Sequence, residues 1–321
     1  MTELPQEVDS IEALSTVEGR ALHLALGMFD GVHLGHQSVI DAAIKEARKD
    51  GGIAGVLTFD PHPSRILRPA KPTLLLMPVE TKVRFLIAYG VDVVVRQRFN
   101  KLFSAIEAEA FVAHLKQLVP ALAGLYVGQN FRYGRGRRGD VTMLEQTAGG
   151  TRVKIFSAPR LQAGGEPISS TRIRGLLEAG EVREANRLLG YRYFAQGTVI
   201  GGRKLGRTLG FPTLNVPWAP ELPPRRGVYA VRHFVGDSGE PREGVANYGV
   251  RPTVAEAGAE PLLEVHSFGE PGAGPGEWLR VEWLEMLRPE RKFSGPDELK
   301  AQIARDCEAA RAVHAREAPG A

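Results

Sequence analysis

Two histidines in a glycine-rich stretch are the first residues whose types and spacing suggest chemistry. His33 and His36 sit in Gly27-Met28-Phe29-Asp30-Gly31-Val32-His33-Leu34-Gly35-His36-Gln37. Imidazoles there can donate to phosphoryl oxygens. A His-x-x-His pair also serves as half of a metal site, or as a plain solvated turn. Further ligands are not in view, because Cys307 is the single cysteine and no histidine cluster stands elsewhere. A second group is Ser169, Ser170, Thr171 and Arg172, with Arg174 just beyond. Hydroxyls and guanidiniums suit phosphate, although a capped helix is the simplest local reading. A third group is Glu264 and His266 in Leu262-Leu263-Glu264-Val265-His266. Such a carboxylate can take a proton from a hydroxyl, but most strand glutamates only face solvent. In the fourth, Gly201, Lys204, Gly206 and Arg207 precede Thr213 and Asn215. The glycines and cations can cradle a polyphosphate. Thr213 and Asn215 face the same way on an extended segment, and their two neutral oxygens can hold Mg²⁺. A glycine-rich hairpin with an ordinary Thr and Asn is the rival reading, and no Gly-x-x-x-x-Gly-Lys-Ser/Thr is present.

These groups need elements to position them. Residues 21–26 predict a buried strand, and 37–50 a helix whose stripe is Val39, Ile40, Ala43, Ile44 and Ala47. The glycine-rich stretch is then a strand-to-helix turn, which aims backbone N–H groups and a helix dipole at one point. A second strand, 53–59, ends in Asp60-Pro61-His62-Pro63. Pro61 and Pro63 stop it at the end where open parallel sheets bind ligands, or simply make a turn. Helices over 79–89 and 106–118 and strands over 91–95 and 125–127 continue the alternation. This predicts a parallel sheet wrapped by helices. After the last of these strands Asn130 is followed by Arg132, Arg135, Arg137 and Arg138. That loop reads as a nucleotide clamp, a solvated basic loop or an RNA contact with only Phe131 and Tyr133 to stack.

Ser169 or Ser170 caps a helix through 177, and Gly190 closes another over 182–189. Helical period is then lost. Strands over 192–200, 227–235, 243–250, 261–268 and 278–287 predict a small closed barrel, with a terminal helix over 296–317. The domains are accordingly 1–188, an α/β domain, and 189–321, an all-β barrel with a C-terminal helix. At 321 residues the chain is long enough for both. Lys+Arg 41 against Asp+Glu 37 leaves +4, too mild to argue for nucleic acid but compatible with anionic small substrates. No run is long enough to span a membrane and no signal peptide is visible. One cysteine suits a reducing cytoplasm.

Motifs 27–37, 58–63 (TFDPHP), 128–134 (GQNFRYG) and 168–174 (ISSTRIR) together resemble the nucleotidylyltransferase superfamily. More narrowly, they look like the FAD synthetase half of the bacterial bifunctional riboflavin kinase/FAD synthetase family. Motifs 206–215 (GRTLGFPTLN), 247–253 (NYGVRPT), 262–266 (LLEVH) and 287–293 (LRPERKF) resemble the riboflavin kinase module of that family. The resemblance implies a Rossmann-like domain followed by a kinase barrel, with ATP as co-substrate and Mg²⁺ as cofactor. Riboflavin, FMN and FAD are the implied flavins. It places Glu264 as catalytic base and Thr213 and Asn215 on Mg²⁺ and nucleotide. His33, His36 and Arg172 become catalytic, and Gly27, Phe29, Asp30, Gly35, Ser169, Ser170, Thr171 and Arg174 nucleotide-binding. Gly201, Lys204, Gly206 and Arg207 bind the second nucleotide, and Pro61, Pro63, Asn130, Asn247 and Arg251 the flavins. Met28 stands where the family usually has Asn, and Asn130 where Asp is common. Residues 269–278 are Gly/Pro-rich where the family carries Asp-Leu-Tyr-Gly.

Overall fold

A computed structural model describes residues 5–15, 17, 19–202, 208–236, 239–250 and 261–317. The chain divides into two units, Met1–Ser170 and Thr171–Ala321. In the first, strand and helix alternate as β1 (Glu7–Val8), β2 (Leu22–Leu26), α1 (Leu34–Asp50), β3 (Ile53–Asp60), α2 (Pro63–Leu67) and α3 (Val79–Ala88). They continue as β4 (Val93–Arg98), α4 (Lys101–Ser104), α5 (Phe111–Leu118), β5 (Leu122–Gly128), α6 (Val141–Ala148) and β6 (Lys154–Ala158). The short strands β7 (Gln162–Ala163) and β8 (Glu166–Pro167) form a hairpin. The sheet order is β1-β4-β3-β2-β5-β6, all parallel. From β2 the chain builds one way through β3 and β4, then reverses to β5 and β6. The switch point therefore lies between β2 and β5, and a ligand crevice is expected at their carboxyl ends.

Every residue of β2 is buried, as its apolar composition predicts. His23 is its polar exception. One ring nitrogen meets the Tyr126 hydroxyl at 2.8 Å and the other the Asp50 carboxylate at 2.9 Å. These bonds tie the last residue of α1 to the centre of the sheet, and the His23 bond holds the Asp50 carboxyl below its usual range.

The second unit opens within α7 (Ser170–Ala179) and continues through α8 (Val182–Leu189). Its strands are β9 (Phe194–Thr198), β10 (Leu214–Pro217), β11 (Gly227–Val235), β12 (Arg242–Gly249), β13 (Leu262–Ser267) and β14 (Trp278–Pro289). They pair antiparallel in the order β10-β13-β12-β11-β14-β9. A bridge between Ile200 and Asn215 joins the two edges and closes the barrel. Trp283, Tyr229 and Tyr248 fill the interior, with Trp283 and Tyr229 edge to face at 4.5 Å. The terminal helix α9 (Pro296–Glu317) lays Cys307, Ala310 and Val313 over Val228, Ala230 and Val245 on the outer face. Arg288 on β14 grips Asp306 of α9 through two bonds of 2.9 and 2.8 Å.

The contact boundary at 170/171 precedes the change of sequence character at 188/189. The helices between the two points pack on the barrel. Asn186 of α8 donates to the Trp283 carbonyl at 2.8 Å and accepts the Tyr193 amide at 2.7 Å.

Candidate active sites

The turn between β2 and α1 is held in an uncommon backbone shape, with φ of 47° at Phe29, 77° at Gly31 and 34° at Val32. Positive φ at a β-branched residue is rare, and such outliers collect at functional turns. Gly31 is required twice over, because a Cβ there would also fall 2.5 Å from Leu76 Cδ1. Phe29 and Asp30 are buried, and Asp30 Oδ1 accepts the Leu76 amide at 2.9 Å. His33 caps α1, and its Nδ1 accepts the His36 amide at 3.2 Å. In the neutral ring that leaves Nε2 to carry the hydrogen. The His36 ring stacks on His33 at 3.6 Å and meets the Phe29 ring edge to face at 5.4 Å. Gly35 lets the turn close over His33, since a Cβ would lie 3.2 Å from its Cε1. The first amides of α1 lack intrahelical acceptors by helix geometry. His33 takes up those of His36 and Gln37, so Leu34 and Gly35 offer theirs to an anion.

Ser170 Oγ donates to the Asp30 carbonyl at 3.0 Å, across 140 residues of sequence. This bond brings the start of α7 to the histidine turn. Ser169 is half-buried and Thr171 exposed. Arg172, also half-buried, pairs with Glu184 at 3.2 Å, and Arg187 holds the same carboxylate at 2.7 Å. Arg174 is half-buried on α7. Pro61 follows β3 through a cis peptide bond, Pro63 opens α2, and Asn130 is exposed beyond β5. All three thus lie at carboxyl ends of strands. The arginine loop is largely paired with acids: Arg132 with Asp140 at 3.4 Å, Arg135 with Glu107 at 3.0 Å and Arg138 with Glu109 at 3.2 Å.

In the barrel, strand register does the assembling. Glu264 on β13 lies opposite Asn215 of β10 on one side and Asn247 of β12 on the other. Directly opposed residues of antiparallel strands share a face, so the three line up across three strands. Leu263 and Val265, on the other face, are fully enclosed. Gly202 is pressed against Asn215, where a Cβ would sit 2.3 Å from the amide Nδ2. Gly201 is exposed beside it, and Thr213 is half-buried just ahead of β10. His266 donates from Nδ1 to the Pro212 carbonyl at 2.9 Å and takes the Phe211 ring at 5.4 Å. These contacts fix the segment that carries Thr213. The hydroxyl of Thr213, the amide oxygen of Asn215 and the nearby Glu264 carboxylate are hard oxygen donors, a set that fits Mg²⁺. Lys204, Gly206, Arg207 and Arg251 lie outside the described residues.

The family model for FAD synthetase matches residues 16–172, and that for riboflavin kinase matches 189–314. A bifunctional riboflavin kinase/FMN adenylyltransferase of Escherichia coli K12 is 38% identical over 93% of this chain and 95% of its own. The chain belongs to the bifunctional riboflavin kinase/FMN adenylyltransferase family. The Bacillus subtilis protein of that description is 40% identical over 88% of this chain and 89% of its own. A solved structure described as a macrolide-efflux protein from Streptococcus pneumoniae superposes with a TM-score of 0.83 at 28% identity, covering 95% of this chain and 98% of that one. No helix among the described residues is long and apolar enough to cross a membrane. In this member of the riboflavin kinase/FMN adenylyltransferase family, three further residues lie beside the candidate sites. Lys82 and Thr58 lie under the histidine turn, and Gly202 lies over Asn215. In the sequence Thr58 is marked by opening the TFDPHP motif and Gly202 by its place in a Gly-Gly pair, whereas Lys82 carries no signal.

Proposed function

We propose that this chain phosphorylates riboflavin to FMN in its barrel and adenylylates FMN to FAD in its first domain, consuming one ATP at each step. The observation that carries this reading is that the two family matches fall on different parts of one chain, 16–172 and 189–314. The functional domains are taken as 1–188 and 189–321, and the setting as the cytoplasm, where a single buried cysteine is unremarkable.

In the barrel, Glu264 takes the proton from the terminal ribityl hydroxyl of riboflavin. That oxygen attacks the γ-phosphorus of ATP, the bond to the bridging oxygen breaks, and ADP leaves. Thr213 and Asn215 hold Mg²⁺, which when bound neutralises phosphate charge. The family resemblance assigns Gly201, Lys204, Gly206 and Arg207 to binding the nucleotide and Asn247 and Arg251 to binding the flavin. The three-strand line through Glu264 supports placing base and nucleotide side by side. Transfer of this kind rests on positioning and charge neutralisation.

In the first domain, an FMN phosphate oxygen attacks the α-phosphorus of ATP and pyrophosphate leaves. No enzyme nucleophile is needed. His33 and His36 donate to the triphosphate, together with the amides at the start of α1. Ser169, just ahead of α7, and Ser170, its first residue, act beside the histidine turn, which the Ser170–Asp30 bond supports; Thr171, Arg172 and Arg174 are the further phosphate-binding residues that the family resemblance implies. Gly27 and Gly35 allow close backbone approach, while the buried Phe29 and Asp30 shape the turn from beneath. Pro61, Pro63 and Asn130 line the flavin side.

The test is a time course with riboflavin and Mg-ATP, resolved by chromatography. FMN rises first, then FAD, with pyrophosphate released in step with FAD. Absence of FMN contradicts the kinase assignment, and FMN that never becomes FAD contradicts the other.

A further inference from the structure

A charged side chain lies beneath the histidine turn, and the chemistry above leaves it unused. Lys82 of α3 is 5% exposed. Its ammonium donates to the Met28 carbonyl at 2.9 Å and to Thr58 Oγ1 at 2.8 Å. The Thr58 hydroxyl donates in turn to the same carbonyl at 3.0 Å. Met28 thus receives two bonds at the residue just before Phe29, where φ turns positive. The charged groups facing the ammonium are Asp30 in the turn and Asp60 at the end of β3, and both favour its charged form. Burial outweighs them and draws the amine down to about 8. Lysine is almost never so enclosed unless paired, and an apolar side chain would serve the core at lower cost.

We propose that Lys82 is a positioning residue for adenylyl transfer: its ammonium grips the Met28 carbonyl and so holds the turn bearing His33 and His36 in the shape that receives the triphosphate. The proposal rests on the assignment of FMN adenylylation to the first domain. The substitution of Met for the family's usual Asn at position 28 leaves it intact, because the grip is on the main chain.

The full-length chain carries its own control, since riboflavin phosphorylation and FMN adenylylation are assayed separately. Losing its proton leaves the amine two N–H donors but turns a charge-assisted grip into a weaker neutral one, so wild-type adenylylation should decline as pH rises through about 8, while phosphorylation shows no such limb. Thr58→Val conserves volume but removes an acceptor of the ammonium, so the limb should move to lower pH. Lys82→Met should lower kcat/KM for adenylylation by roughly 10- to 100-fold, the scale of a misplaced reacting group. It should also abolish the limb and leave phosphorylation unchanged. Should Lys82→Met fail to fold, the wild-type and Thr58→Val profiles decide. An active wild type with a flat alkaline profile overturns the role of Lys82 alone, as does a Lys82→Met protein that adenylylates normally. A wild type that makes no FAD from FMN and ATP at any pH defeats the parent assignment and this proposal with it.

Discussion

Glu264 is half-buried between two fully enclosed neighbours, Leu263 and Val265, and faces an asparagine on each adjoining strand. A carboxylate so placed is well suited to receive a proton from a hydroxyl laid beside it. Glu264→Gln keeps the shape and removes the proposed base, so FMN formation should drop by about 10²- to 10⁴-fold. FAD formation from supplied FMN should be untouched. His36→Ala should do the reverse, since it removes the proposed phosphate donor and the ring stacked on His33. Steady-state rates for each half-reaction check both. At this scale the sequence is readable where a polar type breaks an apolar context, as at His33, His36 and Glu264. It is silent at Lys82. A lysine in the amphipathic helix Val79–Ala88 reads as solvent-facing, and only the packing of α3 under the turn buries it.

Among the elements, β10 shows how a small constraint reaches the chemistry. Asn215 can occupy its place because Gly202 crosses over its amide without a side chain. Gly202→Ala would drive a methyl into that amide. Riboflavin phosphorylation should fall roughly 10- to 100-fold, the scale of a misplaced group, while FMN adenylylation continues. Parallel assays of the two steps read this directly. Long periodic segments such as α1, β3, β11 and α9 lie close to where residue pattern puts them. Their ends differ for local reasons. α1 starts at Leu34 rather than 37 because the His33 imidazole caps it, and histidine is not a usual capping residue. The helix expected over 106–118 keeps only Phe111–Leu118, with a 3₁₀ turn over Ala108–Ala110 before it. The strand expected over 125–127 runs from Leu122 to Gly128. β6 is not legible in the sequence, because its exposed and half-buried residues lie at the sheet edge and lack an apolar run. β10 was legible only as an extended stretch, being four residues ended by Pro217.

For the whole molecule, the buried Lys82 couples stability to pH in the opposite sense to activity. Its amine titrates at about 8 when folded and near the ordinary 10.5 when unfolded. Between those values the unfolded chain binds more protons, so stability rises with pH. The gain approaches about 3 kcal/mol as the cost of a buried charge is relieved. Above about 10 the trend reverses, because buried tyrosines such as Tyr126, pushed up to about 12, ionise first in the unfolded chain. Calorimetry is the right probe, because Trp218, Trp278 and Trp283 all lie in the second unit. The first unit's transition should move upward from about pH 8 to about pH 10, while its adenylylation declines. The two-part organisation itself was plain from the loss of helical period near residue 190. Contact between α8 and β14 was not, because no local pattern announces which unit a connecting helix will join.

One chain is proposed to act on the same flavin at two separate places in succession. Glu264→Gln and His36→Ala proteins, each given riboflavin and Mg-ATP alone and then mixed, test it most directly. In the time the wild type needs to convert its riboflavin to FAD, the first should yield at most traces of flavin product and the second FMN with at most traces of FAD, whereas the mixture should yield FAD as FMN released by one protein is taken up by the other. FAD from either variant alone at a rate near the wild type's, or a mixture that stops at FMN, would contradict this.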